Sequence, residues 1–166
     1  MAFREVITEK DETLRKKSKT VDRFDEKLHI LLDDLAETMY KYQGVGLASV
    51  QVGVLKRALV VDVGEGIIEL INPEIVKATG KQEESEGCLS CPDEYGLVER
   101  PARVEVKAQN RYGECFQVTG VGLLARALCH EIDHLDGIIF KDIATQMLES
   151  DSPKPRRKKL NVHVKK

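Results

Sequence analysis

Leu128-Cys129-His130-Glu131-Ile132-Asp133-His134-Leu135-Asp136-Gly137, near the C-terminal end of a 166-residue chain, is the stretch from which the rest is read. Leu123, Leu124, Ala127, Leu128 and Glu131 recur at helical spacing, and Gly137 is a natural terminator, so the segment predicts a helix. On that helix His130 and His134 lie about 40° apart around the axis and about 6 Å apart along it. Two imidazoles so placed face one metal ion. Glu131 lies about 100° round from its neighbour, close enough to reach a water on that ion without being a ligand. This is the H-E-x-x-H pattern of a hydrolytic metal site.

Outward from this helix the pattern changes period. After it, 138–140 reads as a short strand. Before it, 102–110 alternates Val104, Val106 and Ala108 with Arg103, Glu105 and Lys107, and Tyr112-Gly113 turns the chain back into 115–118. Strands at 57–63 and 67–71 flank Gly64-Glu65-Gly66, Asn72-Pro73 ends the second, and 74–78 reads as a third. The segment 83–92 has no clean period, and Pro92 argues against a central ladder position after it. Phe24, Leu28, Leu31, Leu32, Leu35, Met39 and Tyr42 predict an amphipathic helix over 24–42, with Asp22 as N-cap and Gly44 as its end. Residues 44–51 are rich in small side chains and read as a loop that lets backbone approach something closely. Residues 11–17 read as a short surface helix, acidic first and basic last. The expected fold is α+β, with short, mainly antiparallel strands packed around a central metal-binding helix. Residues 1–148 are expected to be one catalytic domain and 149–166 a basic, flexible tail.

Composition narrows the class. The chain is long enough to bury about 70% of its unfolded surface in one core. A hydrophobic share of 42% and a charged share of 33% are those of a globular protein. No apolar run suits a bilayer, and Met1-Ala2-Phe3-Arg4-Glu5 has no apolar signal core. The reading therefore places the protein in the cytoplasm, where its four cysteines serve as ligands or buried groups rather than disulfides. A net charge of −2 gives no footprint for sequence-specific nucleic acid, and no membrane partner is expected. The tail, Asp151-Ser152-Pro153-Lys154-Pro155-Arg156-Arg157-Lys158-Lys159, departs from that balance. It reads either as a solvated terminus or as an electrostatic tether to RNA, such as a ribosome contact.

Two histidines need a third protein ligand if one position is to stay open for water. Cys88, Cys91, Cys115, Cys129 and many carboxylates are available. Gly44-Val45-Gly46-Leu47-Ala48-Ser49-Val50-Gln51, Glu86-Gly87-Cys88-Leu89-Ser90 and His130-Glu131-Ile132-Asp133-His134-Leu135 resemble, in order and spacing, the three motifs of the peptide deformylases. The resemblance covers about 3–143. It implies that Cys88, His130 and His134 ligate the metal, with Fe2+ the physiological ion and Zn2+, Ni2+ or Co2+ as substitutes. It implies hydrolysis of the formyl group from N-formylmethionyl nascent peptides, releasing formate. Glu131 would carry the proton, and the Gln51 amide and Leu89 backbone N–H would stabilise charge on the formyl oxygen. Gly44 and Gly46 fit a loop lying against an extended substrate. Val45, Leu123 and Ala127 would line the methionine pocket, with Arg126 beside it.

Cys129 stands where this family usually has glutamine, Ser49 where alanine is usual, and Cys91 where an aliphatic residue is common. Cys91 also opens a rival reading, a closed zinc site of Cys88, Cys91, His130 and His134, which would leave Glu131 and the glycines without a purpose. A metallopeptidase is a second rival, against which the resemblance argues through cysteine as third ligand. Cys115 and Cys129 are expected to be buried small hydrophobes. Asp133 faces away from the ligand pair and is expected to pair with Arg100.

Overall fold

The apolar stripe over 24–42 forms α1 (Glu26–Lys41) in a computed structural model of the chain that describes residues 2–149. Its N-cap is Asp25 rather than Asp22: the Asp25 carboxylate accepts from the Leu28 N–H at 3.1 Å, a reach that only the residue just before the helix has. Leu28, Leu31, Leu32, Leu35 and Met39 are buried along one face. The helix closes at Lys41, and the Gly44 N–H donates to the Met39 carbonyl at 3.0 Å. Ahead of α1, the expected surface helix is a single 3₁₀ turn, Glu12–Arg15, capped by Asp11. Its Leu14 is fully buried, so the turn is pinned to the core.

The stretch after α1 is not merely a loop. Its backbone is extended at β1 (Gly46–Ala48), followed by a 3₁₀ turn, Ser49–Val52. β1 pairs antiparallel with β2 (Ala58–Val61), with Gly46 opposite Val61, which gives this small-residue segment a ladder the local pattern does not announce. β2 pairs in turn with β3 (Ile68–Thr79), which runs straight through Asn72-Pro73. The two expected strands are one because Asn72 takes a left-handed φ of +52° and the register shifts between Ile71 and Glu74. That bulge removes the demand for a ladder N–H at Pro73. The Asn72 side chain ties it down, accepting from Val21 N–H at 2.8 Å and donating to the Val21 carbonyl at 2.9 Å.

β4 (Gln82–Cys88) and β5 (Cys91–Arg100) form a hairpin where the sequence has no clean period. Pro92 lies inside β5, yet the register runs from Cys91 directly to Gly96, so Pro92 occupies an irregular, unpaired stretch. β6 (Arg103–Gln109) and β7 (Cys115–Val121) follow the expected alternation, β7 running on through Thr119-Gly120. α2 (Leu123–Leu135) is the predicted histidine helix. Gly137, with φ +75°, ends it where a Cβ would lie 2.3 Å from the Arg15 carbonyl oxygen, so glycine is required on two counts. The strand expected at 138–140 is instead the run into α3 (Phe140–Ile143), whose Asp142 accepts from the Ile139 N–H at 2.9 Å. β8 (Gln146–Met147) then adds to β5.

Among the described residues the strands form two antiparallel sheets, ordered β1-β2-β3-β6-β7 and β4-β5-β8. α2 packs on β1, β2 and β7 of the first and touches β5 of the second. Leu128 and Leu135 share one core cluster with Val61, Leu70, Val104 and Val106 of the first sheet and Val98 of the second, so the histidine helix is buried against both. No helix among the described residues is long and apolar enough to cross a membrane. The basic tail lies outside the described residues.

Candidate metal centre and active site

His130 and His134, one helical turn apart on α2, are both buried, with ring centroids 5.0 Å apart. Cys88 enters from the last position of β4, its Sγ 3.3 Å from His134 Nε2. One ligand atom from each of the three lies within 4.8 Å of the other two. Cys91 is outside this group; its sulfur sits instead with Glu9 and Glu94. Lys141 already bridges those two carboxylates at 2.7 and 2.8 Å, so that second cluster is a satisfied ion-pair network. The closed four-ligand arrangement is therefore not assembled.

Behind the histidines lies a buried network that the sequence reading missed. Glu86 accepts from Arg100 through two bonds of 2.9 Å, from Arg126 at 2.5 Å and from His130 Nδ1 at 2.9 Å. The carboxylate fixes the imidazole with its proton on Nδ1 and leaves Nε2 for the cleft. Arg100 also donates to Asp133 at 2.6 Å, the expected pair. Burial opposes ionisation of Glu86, but bonds from Arg100 and His130 override it and hold the carboxyl well below its ordinary range. Arg126 borders the cleft as anticipated, although one of its guanidinium nitrogens is committed to Glu86 and the Val98 carbonyl. The available signal was a carboxylate two residues before the cysteine, in a strand rich in other carboxylates.

The cleft in front of the cluster is bordered by every substrate residue named from the sequence: Gly44, Val45, Gly46, Leu123 and Ala127. Glu131, Gln51 and Leu89 border it as well. Glu131 Oε2 is 4.0 Å from His130 Nε2, and Oε1 is buried without a hydrogen-bond partner among the described residues. Burial pushes its carboxyl up to about 7, against the attraction of His130. A Cβ at Gly46 would come within 2.7 Å of Glu131 Cγ and Oε2, so the missing side chain is what lets this backbone lie against the carboxylate. Gln51 accepts from the Ala48 N–H at 2.9 Å through Oε1 and turns Nε2 towards Cys88 Sγ at 3.5 Å and Ser90 Oγ at 3.2 Å. Ser49 is fully buried, its hydroxyl spent on the Val54 carbonyl at 2.8 Å. Cys129 is buried as expected, whereas Cys115 is exposed at the start of β7, where alternation turns it outward.

These donors fit a cation. Burial, followed by His130, holds His134 well below its ordinary pKa, so it is neutral and free to ligate. The Cys88 thiol is pushed up by Cys91, by burial and by Glu131, which is the state of a thiol awaiting a positive partner. Two helix-borne imidazoles and the sulfur of a half-buried cysteine, with an orphaned carboxylate oxygen beside them, define a metallohydrolase.

The comparisons make the class specific. The family profile described as polypeptide deformylase matches residues 3–149. A peptide deformylase of Caldicellulosiruptor bescii is 55% identical over 157 residues, 95% of each chain. One of Alkaliphilus metalliredigens is 60% identical over 142 residues, 86% of this chain and 97% of that one. Among solved structures, a peptide deformylase from Legionella pneumophila superposes with a TM-score of 0.83 at 46% identity, covering 86% of both chains. The chain belongs to the polypeptide deformylase family. It is a metal-dependent hydrolase that removes the formyl group from the N-terminal methionine of new polypeptides.

Proposed function

We propose that Cys88, His130 and His134 hold one divalent ion, Fe2+ in the cell with Zn2+, Ni2+ or Co2+ able to replace it. The observation that carries this reading is the convergence of one sulfur and two imidazole nitrogens within 4.8 Å at the cleft. The mixed donor set accepts several divalent ions, and the thiolate favours iron or zinc over hard cations. When bound, the ion supplies Lewis acidity, lowering the pKa of water and polarising a carbonyl.

The protein's own groups do the rest. Glu131 takes a proton from the attacking water and delivers it to the departing amine nitrogen. The Gln51 amide, held by Ala48 and Ser90, donates to the formyl oxygen together with the Leu89 N–H. β1 is an edge strand, so Gly46, with Gly44 and Val45 leading into it, can take the substrate backbone as an added strand. Val45, Leu123 and Ala127 receive the methionine side chain. Residues 1–148 act as the catalytic unit in the cytoplasm, and the tail tethers it to the ribosome through Arg156, Arg157, Lys158 and Lys159.

The ligand set is tested without turnover. Cobalt-loaded wild type is expected to bind one ion per chain and to show a sulfur-to-cobalt charge-transfer band. Cys88→Ala is expected to lose that band, and His134→Ala most of the bound cobalt. An unchanged band in Cys88→Ala refutes the assignment.

A further inference from the structure

We propose that Cys88 and Cys91 are a reversible oxidation site, which a hydroperoxide closes into a disulfide. Leu89 and Ser90 form a two-residue turn, and Cys88 stands directly opposite Cys91 in the β4–β5 register. Directly opposed residues of an antiparallel pair have Cα atoms about 4.5–5.5 Å apart. That separation lies within the roughly 4.4–6.8 Å window of disulfides. Opposed side chains also share a face, and both cysteines border the same cleft. Both are free thiols in this structure.

The chemistry divides between them. Cys88 is half-buried, whereas Cys91 is buried, 1% exposed. Hydrogen peroxide therefore meets Cys88 first: its sulfur takes one peroxide oxygen, giving sulfenic acid and one water. Cys91 sulfur then attacks the sulfenyl sulfur, the S–S bond forms, and the hydroxyl leaves as a second water with the Cys91 proton. Two thiols are oxidised by two electrons and one peroxide is reduced to two waters. Without a resolving thiol, sulfenic acid proceeds to sulfinic and sulfonic acids that thiols do not reverse. A disulfide closing so short a turn at a cleft is readily reduced. Cys91 thus protects the other sulfur from permanent loss.

The link itself stands apart from the metal assignment, while its consequence, withdrawal of Cys88 from the ion, rests on the ligand role proposed above. The test uses the full-length chain, both zinc-loaded and after chelation, treated with hydrogen peroxide and followed by intact mass and peptide mapping. Wild type is expected to lose two hydrogens, to yield a peptide linked between Cys88 and Cys91, and to recover both thiols in dithiothreitol. Zinc is expected to slow the loss and to be released with it. Cys91→Ser is expected to gain two or three oxygens on Cys88 that dithiothreitol does not remove, while Cys129→Ser follows wild type. Oxygen accumulating on Cys88 of wild type with no linked peptide overturns the proposal, as does equal recovery of Cys91→Ser. If the link forms but the cobalt band survives in Cys88→Ala, the ligand assignment falls and the disulfide stands.

Discussion

Glu131→Gln is expected to lower kcat/KM for a formylmethionyl peptide by about 10²–10⁴-fold, with metal content unchanged. The amide keeps the volume and one hydrogen-bonding oxygen but cannot accept a proton from water. Position makes the loss severe. Glu131 is buried against Gly46, 4.0 Å from His130 Nε2, with its other carboxylate oxygen free of hydrogen bonds among the described residues. The pH dependence has a definite sign: Glu131 must be ionised to act as base, so wild-type activity falls as pH drops through its pKa. The residual activity of Glu131→Gln is expected to lack that acid limb. Rates across pH, with metal analysis of each preparation, check both statements.

The second large effect falls on stability. Glu86→Ala leaves Arg100 and Arg126, both nearly inaccessible, without the carboxylate they share. Stranding buried charge in this way typically costs about 3–5 kcal/mol. For a domain of this size that lowers Tm on the order of 10 °C. The Glu86 carboxyl titrates below its unfolded value in the folded protein, so its contribution is present above about pH 4.5 and is lost as pH falls further. The Tm difference between wild type and variant is therefore expected to shrink in acid. His130 also loses the acceptor of its Nδ1 proton, so metal affinity is expected to drop alongside stability. Thermal unfolding of the two proteins at neutral pH and near pH 4 tests the argument.

How much of this is legible in the sequence depends on the range of the forces involved. His130, Glu131 and His134 are fixed relative to one another by the helical repeat, so their shared face follows from spacing alone. Cys88 has no such local tie; only the resemblance singled it out from the other cysteines, and the geometry brings it to the histidines. The Glu86, Arg100 and Arg126 network depends on which residues meet across β4, β5 and α2, and an irregularity between Glu86 and Cys88 shifts that register. No periodicity encodes it. Asn72 and Pro92 misled in a related way, because a bulge lets each sit inside a continuous strand. Residues 44–51 read as a loop because glycine and alanine lack strand propensity, yet β2 offers them a ladder. Cys115 was expected to be buried by residue type, whereas its place in the alternation of β7 puts it outside.

The most direct test of the account is anaerobic formate release from formyl-Met-Ala-Ser by the full-length protein, with bound metal measured in the same samples. Wild type carrying one ion per chain is expected to release formate in proportion to the peptide consumed, and Glu131→Ala with equal metal to release almost none. Wild type with full metal occupancy that yields no more formate than Glu131→Ala would contradict the claim that this cluster is where the formyl group is hydrolysed.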